Sequence, residues 1–119
     1  MSVLFLEYPK CTTCKKAKKW LDEHGVEYAD RHIVEDRPTA AELEEWIARS
    51  GLPLRRFFNT SGIKYRELGV KAQLDAGMSE EDAIVLLASD GMLVKRPLVV
   101  TDGGVLVGFK EAAWEDSLL

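Results

Sequence analysis

Cysteine, histidine and proline are scarce in this chain of 119 residues: two, two and four respectively. Two cysteines cannot build the multi-bridge framework of a small secreted domain. The two histidines, His24 and His32, do not fall in a zinc-finger spacing with Cys11 and Cys14. Long apolar runs are also missing. Stretches such as residues 3–6 and 98–100 are far short of the ~20 residues a membrane helix needs. The first run is broken at once by Glu7 and Pro9, so it does not read as a signal peptide. There is no surplus of positive charge either. The formal net charge is −4, without the basic footprint of a nucleic-acid binder. These absences lead to the expectation of a cytoplasmic protein with no membrane and no direct nucleic-acid partner. Thiols in that compartment are kept reduced. The two cysteines then point to thiol chemistry or a metal rather than to a staple.

What is present is ordinary soluble-domain material, 46% hydrophobic, and enough for one core. Residues 2–8 read as a buried strand. From Thr12, apolar side chains recur at Ala17, Trp20, Leu21 and His24, one helical face, and Gly25 suits the stop. Residues 26–34 read as a second strand. Thr39 and Glu42 have capping-box spacing ahead of a helix whose apolar face is Leu43, Trp46 and Ile47. Residues 55–78 are expected to hold short helices and loops, with Phe57, Phe58, Ile63, Tyr65 and Leu68 as core. Ser79 caps a further helix carrying Ala83, Ile84, Leu86 and Leu87, and Asp90-Gly91 stops it. A hairpin follows, turning at Asp102-Gly103-Gly104, and then a last helix from Glu111 anchored by Trp114. The order βαβ…ββα is the plan of a thioredoxin-like α/β fold. It has a four-stranded mixed sheet and a helical insertion at approximately 38–92, all in one domain over 1–119.

The chemistry-bearing stretch is YPKCTTCKK, residues 8–16. If the helix starts near Thr12, Cys11 sits at its entry and faces free N–H groups and the positive end of the helix dipole. A thiolate is favoured there. Three-residue spacing brings Cys14 under Cys11, within disulfide reach. Lys10, Lys15, Lys16, Lys18 and Lys19 add positive potential. Other readings stay open at this point. The pair could hold zinc, Cys14 could be a small buried residue, and the lysines could be a solvated helix face. Arg96-Pro97 opens the hairpin. In such a sheet that strand start lies beside the cysteine loop, where an arginine offers a fork of donors to an oxyanion.

Five stretches together resemble the arsenate reductase (ArsC) and Spx family: YPKCTTCKKA (8–17), NTSG (59–62), YRELG (65–69), KRPL (95–98) and VGF (107–109). The resemblance runs over nearly the whole chain. It implies a thioredoxin-like fold with a helical insertion, a cis-proline at Pro97 and a reactive thiol at Cys11. The implied catalytic set is Cys11, Cys14 and Arg96, with Lys10, Thr12, Thr13, Asn59 and Pro97 as substrate-binding candidates and no metal. Glutaredoxin-linked members hold their oxyanion with three arginines and lack the second cysteine. Here Arg96 is kept, while the positions near Asn59 and Val105 carry no arginine. This departure favours thiol–disulfide chemistry over arsenate. The implied reaction partners are a small oxyanion or disulfide and a thiol donor, glutathione with glutaredoxin or thioredoxin, with no bound cofactor. The Spx branch implies instead a redox-sensing regulator that binds the RNA polymerase α subunit.

Overall fold

Strand β1 (Val3–Glu7) is the axis of the molecule. The computed structural model describes residues 2–119. Alternate side chains of β1 enter opposite cores, as the pleat requires. Val3 and Phe5 pack with Ala17, Trp20, Leu21, Val99 and Trp114. Leu6 packs with Leu43, Trp46, Phe57, Phe58, Leu87 and Leu98. Helices α1 (Thr12–Glu23) and α6 (Glu111–Leu118) therefore cover one face of the sheet. The other face is covered by α2 (Ala40–Ser50), α3 (Ile63–Glu67), α4 (Val70–Asp75) and α5 (Glu80–Ala88).

The sheet order is β2-β1-β3-β4, with β2 (Ala29–His32), β3 (Leu98–Thr101) and β4 (Gly104–Val107). β2 runs parallel to β1, and β3 antiparallel to it. This is a thioredoxin-like α/β fold with a mixed four-stranded sheet. The register decides where chemistry can happen. Leu6 pairs with Leu98, so the chain leaving β1 and the chain entering β3 meet at one end of the sheet.

β2 is shorter than residues 26–34. The Val26 N–H closes the α1 terminus on the Leu21 carbonyl at 3.0 Å. At the other end the His32 ring Nδ1 accepts the Val34 and Glu35 N–H groups (3.2 and 3.0 Å) and turns the chain. The Thr39/Glu42 capping box forms in full. Gly104 belongs to β4, leaving a two-residue turn at Asp102-Gly103. In the middle segment Phe57 and Phe58 are buried. Ile63 and Leu68 are not core, at 73% and 44% exposure, because the helix that carries Ile63 is too short to bury more than one edge. The ends of this segment are tied together. Phe58 bridges Val94, the Asn59 N–H donates to the Leu93 carbonyl (2.7 Å), and the Lys95 N–H donates to the Phe57 carbonyl (2.8 Å). Among the described residues no helix is long and apolar enough to cross a membrane.

Candidate active site

The turn after β1 is closed by the Cys11 N–H, which donates to the Tyr8 carbonyl at 2.9 Å. Cys11 is the N-cap of α1, in extended conformation, and its carbonyl accepts the Lys15 N–H at 3.0 Å. No side chain caps this helix. Of the free N–H groups of the first turn, that of Cys14 faces the Cys11 sulfur. Cys11 is half-buried and Cys14 fully buried, and both are free thiols.

The two sulfurs titrate in opposite directions. For Cys11, burial would raise the pKa. The Cys14 backbone N–H, the Cys14 thiol and the Arg96 guanidinium outweigh it and hold the thiol below its ordinary value. For Cys14, burial dominates and pushes the thiol up to about 12; the Tyr8 backbone N–H opposes this, and Cys11 adds to the rise. At neutral pH the pair is one accessible, thiolate-prone sulfur above one protonated, inaccessible sulfur.

Arg96 comes from the bend that leads into β3. The Arg96-Pro97 peptide is cis, and Pro97 is buried. The guanidinium Nε and Nη1 are buried without a hydrogen-bond partner among the described residues. Arg96 is half-buried as a residue, and buried donors left unused cost free energy that an anion would offset. Arg96 also lines a cleft of about 330 Å³ with Asn59, Ser61, Gly62, Ile63, Lys64 and Met92. The cations in that lining are Arg96 and Lys64. Arg55, the arginine nearest in sequence to the expected second ligand that makes an ion pair, is spent on Asp75 at 2.9 Å. Val105 lies on β4, away from this cleft.

Cys11, Cys14 and Arg96 thus converge, Pro97 follows Arg96 across the cis peptide, and Asn59 shares the Arg96 cleft. Lys10, Thr12 and Thr13 are exposed around the thiol turn. The lysine field is thinner than the sequence suggests. Lys18 is bound to Asp30 at 2.8 Å and lies 3.7 Å from Glu7, while Lys19 lies 3.7 Å from Glu23. His24 is exposed rather than packed inward, with its ring stacked on Trp20 at 4.1 Å. Two residues of the site region escaped the sequence reading. Tyr8 carries Arg96 over its ring, 5.2 Å from the centroid. Glu7 is a buried carboxylate whose Oε2 has no hydrogen-bond partner among the described residues. A charged residue at the end of an apolar strand was the available signal for Glu7.

A model of the ArsC family matches residues 6–117. The chain belongs to the ArsC family. It is 55% identical to the protein YusI of Bacillus subtilis (strain 168) over 117 residues, 98% of each chain. It is 28% identical to the global transcriptional regulator Spx of Staphylococcus epidermidis (strain RP62A), covering 87% of this chain and 76% of Spx. The crystal structure of a protein from Bacteroides fragilis related to the ArsC family superposes with a TM-score of 0.93 at 58% identity, covering 98% of this chain and 97% of that one. This ArsC-family chain therefore has relatives over most of its length, a transcriptional regulator among them.

Proposed function

We propose that this ArsC-family protein is a thiol-dependent oxidoreductase with Cys11 as nucleophile, Cys14 as resolving thiol and Arg96 as the group that steadies negative charge. The observation that carries this reading is the convergence of a thiolate-prone Cys11, a buried and protonated Cys14, and the half-buried Arg96 guanidinium, whose Nε and Nη1 have no hydrogen-bond partner among the described residues. A low-pKa thiolate needs no dedicated base. With a disulfide substrate, the Cys11 thiolate attacks one sulfur. The substrate S–S bond breaks, and the first thiolate leaves and takes a proton. Cys14 then loses its proton to solvent and attacks the Cys11 sulfur. The second thiolate leaves, and the protein holds a Cys11–Cys14 disulfide. With arsenate, Cys11 first displaces an oxygen as water, and attack by Cys14 then releases arsenite with the same disulfide. Once Cys11 is derivatised its negative charge is gone, and with it one of the contributions that keep Cys14 protonated. Two electrons return from an external thiol donor, glutathione with glutaredoxin or thioredoxin.

Lys10, Thr12 and Thr13 would contact substrate from the turn, and Asn59 and Pro97 from the cleft side. A cleft of about 330 Å³ that sets an exposed Ile63 beside Arg96 and Lys64 suits an organic disulfide with anionic groups better than a bare inorganic anion. The test is NADPH consumption driven by arsenate or by a small disulfide, with the glutaredoxin and thioredoxin systems supplied in turn. Turnover is expected in wild type and absent in Cys11→Ser. Full activity in Cys11→Ser would sink the mechanism. A second reading, a redox-sensing regulator that binds the RNA polymerase α subunit, is favoured by the regulator Spx among the relatives. Absence of turnover, together with copurification of the α subunit that depends on the oxidation state of the thiols, would replace the first reading with it.

A further inference from the structure

Arg96 raises a mechanical question. Its guanidinium acts on Cys11, yet Nε and Nη1 have no hydrogen-bond partner among the described residues. Long side chains lose rotamer freedom when held in one place, and something must offset that cost. Besides Cys11, the guanidinium meets the Tyr8 ring, whose centroid lies 5.2 Å from the Arg96 Cζ. That distance lies within the reach of a cation–π interaction, and guanidinium groups favour aromatic faces. Tyr8 is itself fixed. Its ring meets the His32 ring edge-on at 5.9 Å, and His32 is locked by the two backbone N–H groups its Nδ1 accepts. The Tyr8 side chain packs against the core under the insertion. Its backbone reaches both cysteines as well: the carbonyl accepts the Cys11 backbone N–H, and the N–H faces the Cys14 sulfur.

We propose that Tyr8 is the positioning residue of this site: its ring holds the Arg96 guanidinium against Cys11 in place of the carboxylate that would otherwise fix an arginine. A carboxylate in that role would neutralise the charge the site needs. A neutral aromatic face orients the cation and leaves its donors free for substrate. Tyr8 thus touches Arg96 rather than the reacting atoms. This inference rests on the thiol reading above and adds the means by which Arg96 is aimed.

The experiment is the pH profile of Cys11 alkylation by iodoacetamide, with the alkylated residue identified by mass spectrometry. Wild type, Tyr8→Phe, Tyr8→Leu, Arg96→Leu and the double variant Tyr8→Leu/Arg96→Leu are compared. Cys14 is silent at neutral pH because it is buried. Tyr8→Phe keeps the ring face and should match wild type. Tyr8→Leu and Arg96→Leu should each move the profile to higher pH and slow alkylation at pH 7 by about three- to tenfold. The double variant should be no slower than Arg96→Leu alone. A purely structural Tyr8 would lower the melting temperature and leave this coupling absent. Tyr8→Met is the replacement if Tyr8→Leu does not fold. The proposal is overturned if Arg96→Leu shifts the profile and Tyr8→Leu does not, or if the two effects add in the double variant. A wild-type Cys11 with the profile of an ordinary thiol would overturn it together with the thiol reading, and that result is distinct from the first two.

Discussion

Glu7 ends β1 at 6% exposure, and its Oε2 has no hydrogen-bond partner among the described residues. Burial raises its pKa, Asp30 raises it further, and Lys18 at 3.7 Å only partly opposes them. A carboxyl whose folded pKa is raised contributes stability that is present below its unfolded pKa and lost as pH rises through the folded value. At neutral pH the charge is therefore a burden on the fold. Glu7→Gln is expected to raise the melting temperature at pH 7 and to match wild type once the pH falls below the ordinary carboxylate range. Melting curves across pH check this, and a Glu7→Gln protein that melts lower at pH 7 would mean that the Lys18 pairing outweighs burial. Cys11 and Cys14 were legible as a pair because three-residue spacing at a helix entry is a local property. Tyr8 and Glu7 were not, since each matters through a partner, Arg96 or Asp30, supplied by a distant stretch of chain.

The helices show the same division between local and distant causes. The α2 start could be read directly, because Thr39 accepts the Glu42 N–H (3.1 Å) and Glu42 accepts the Thr39 N–H (3.0 Å) within one turn. The stop after α5 was read as Asp90-Gly91, a turn pair. The structure gives Gly91 a different task. A Cβ on Gly91 would sit 2.0 Å from the Ile33 carbonyl oxygen, so the short turn Gly91–Leu93 lies against the backbone just past β2. Both atoms in that clash belong to main chain or to a fixed Cβ, so no side-chain rotation relieves it. Gly91→Ala should destabilise by about 3 kcal/mol or more, against about 1 kcal/mol for Thr39→Ala. Urea unfolding of the two variants gives the comparison, and equal losses would remove the close-approach argument. Nothing in the local pattern around Gly91 distinguishes a stop from a contact. The same holds for Ile63, whose apolar character suggested core and whose place at the start of a five-residue helix leaves it in the cleft wall.

At the scale of the whole molecule, the order of elements and the meeting of the Arg96-Pro97 strand start with the cysteine loop were legible, because strands of this composition between helices leave few ways to close a sheet, while the pairing of β1 with β3 came from the structure. The link between β2 and α2 was not legible. Arg31 donates from Nη1 and Nη2 to both Glu42 oxygens (2.8 and 2.9 Å), to the Arg37 carbonyl (3.1 Å) and from Nε to the Asp36 carbonyl (2.8 Å). Arg31 in turn holds the Glu42 carboxyl down to about 2, burial opposing and Thr39 assisting. The depressed pKa contributes stability that is present above the ordinary carboxylate range and lost as pH falls toward 2. Wild type should lose stability across that window, and Glu42→Gln should lose less, starting from a lower value at pH 7. Denaturant melts at a series of acid pH values check both, and parallel curves for the two proteins would exclude Glu42 as the source. One feature of the fold bears on how this chain can change over time. Because Phe58 bridges Val94, Asn59 and Arg96 leave the ends of one short ladder while the residues between them form the outer wall. Substitutions at Ile63 or Lys64 alter what the wall admits and leave the ladder, the cation and the thiols where they are. Reactivity and selectivity are thereby written on separable pieces of chain, and a lineage can retune one without rebuilding the other.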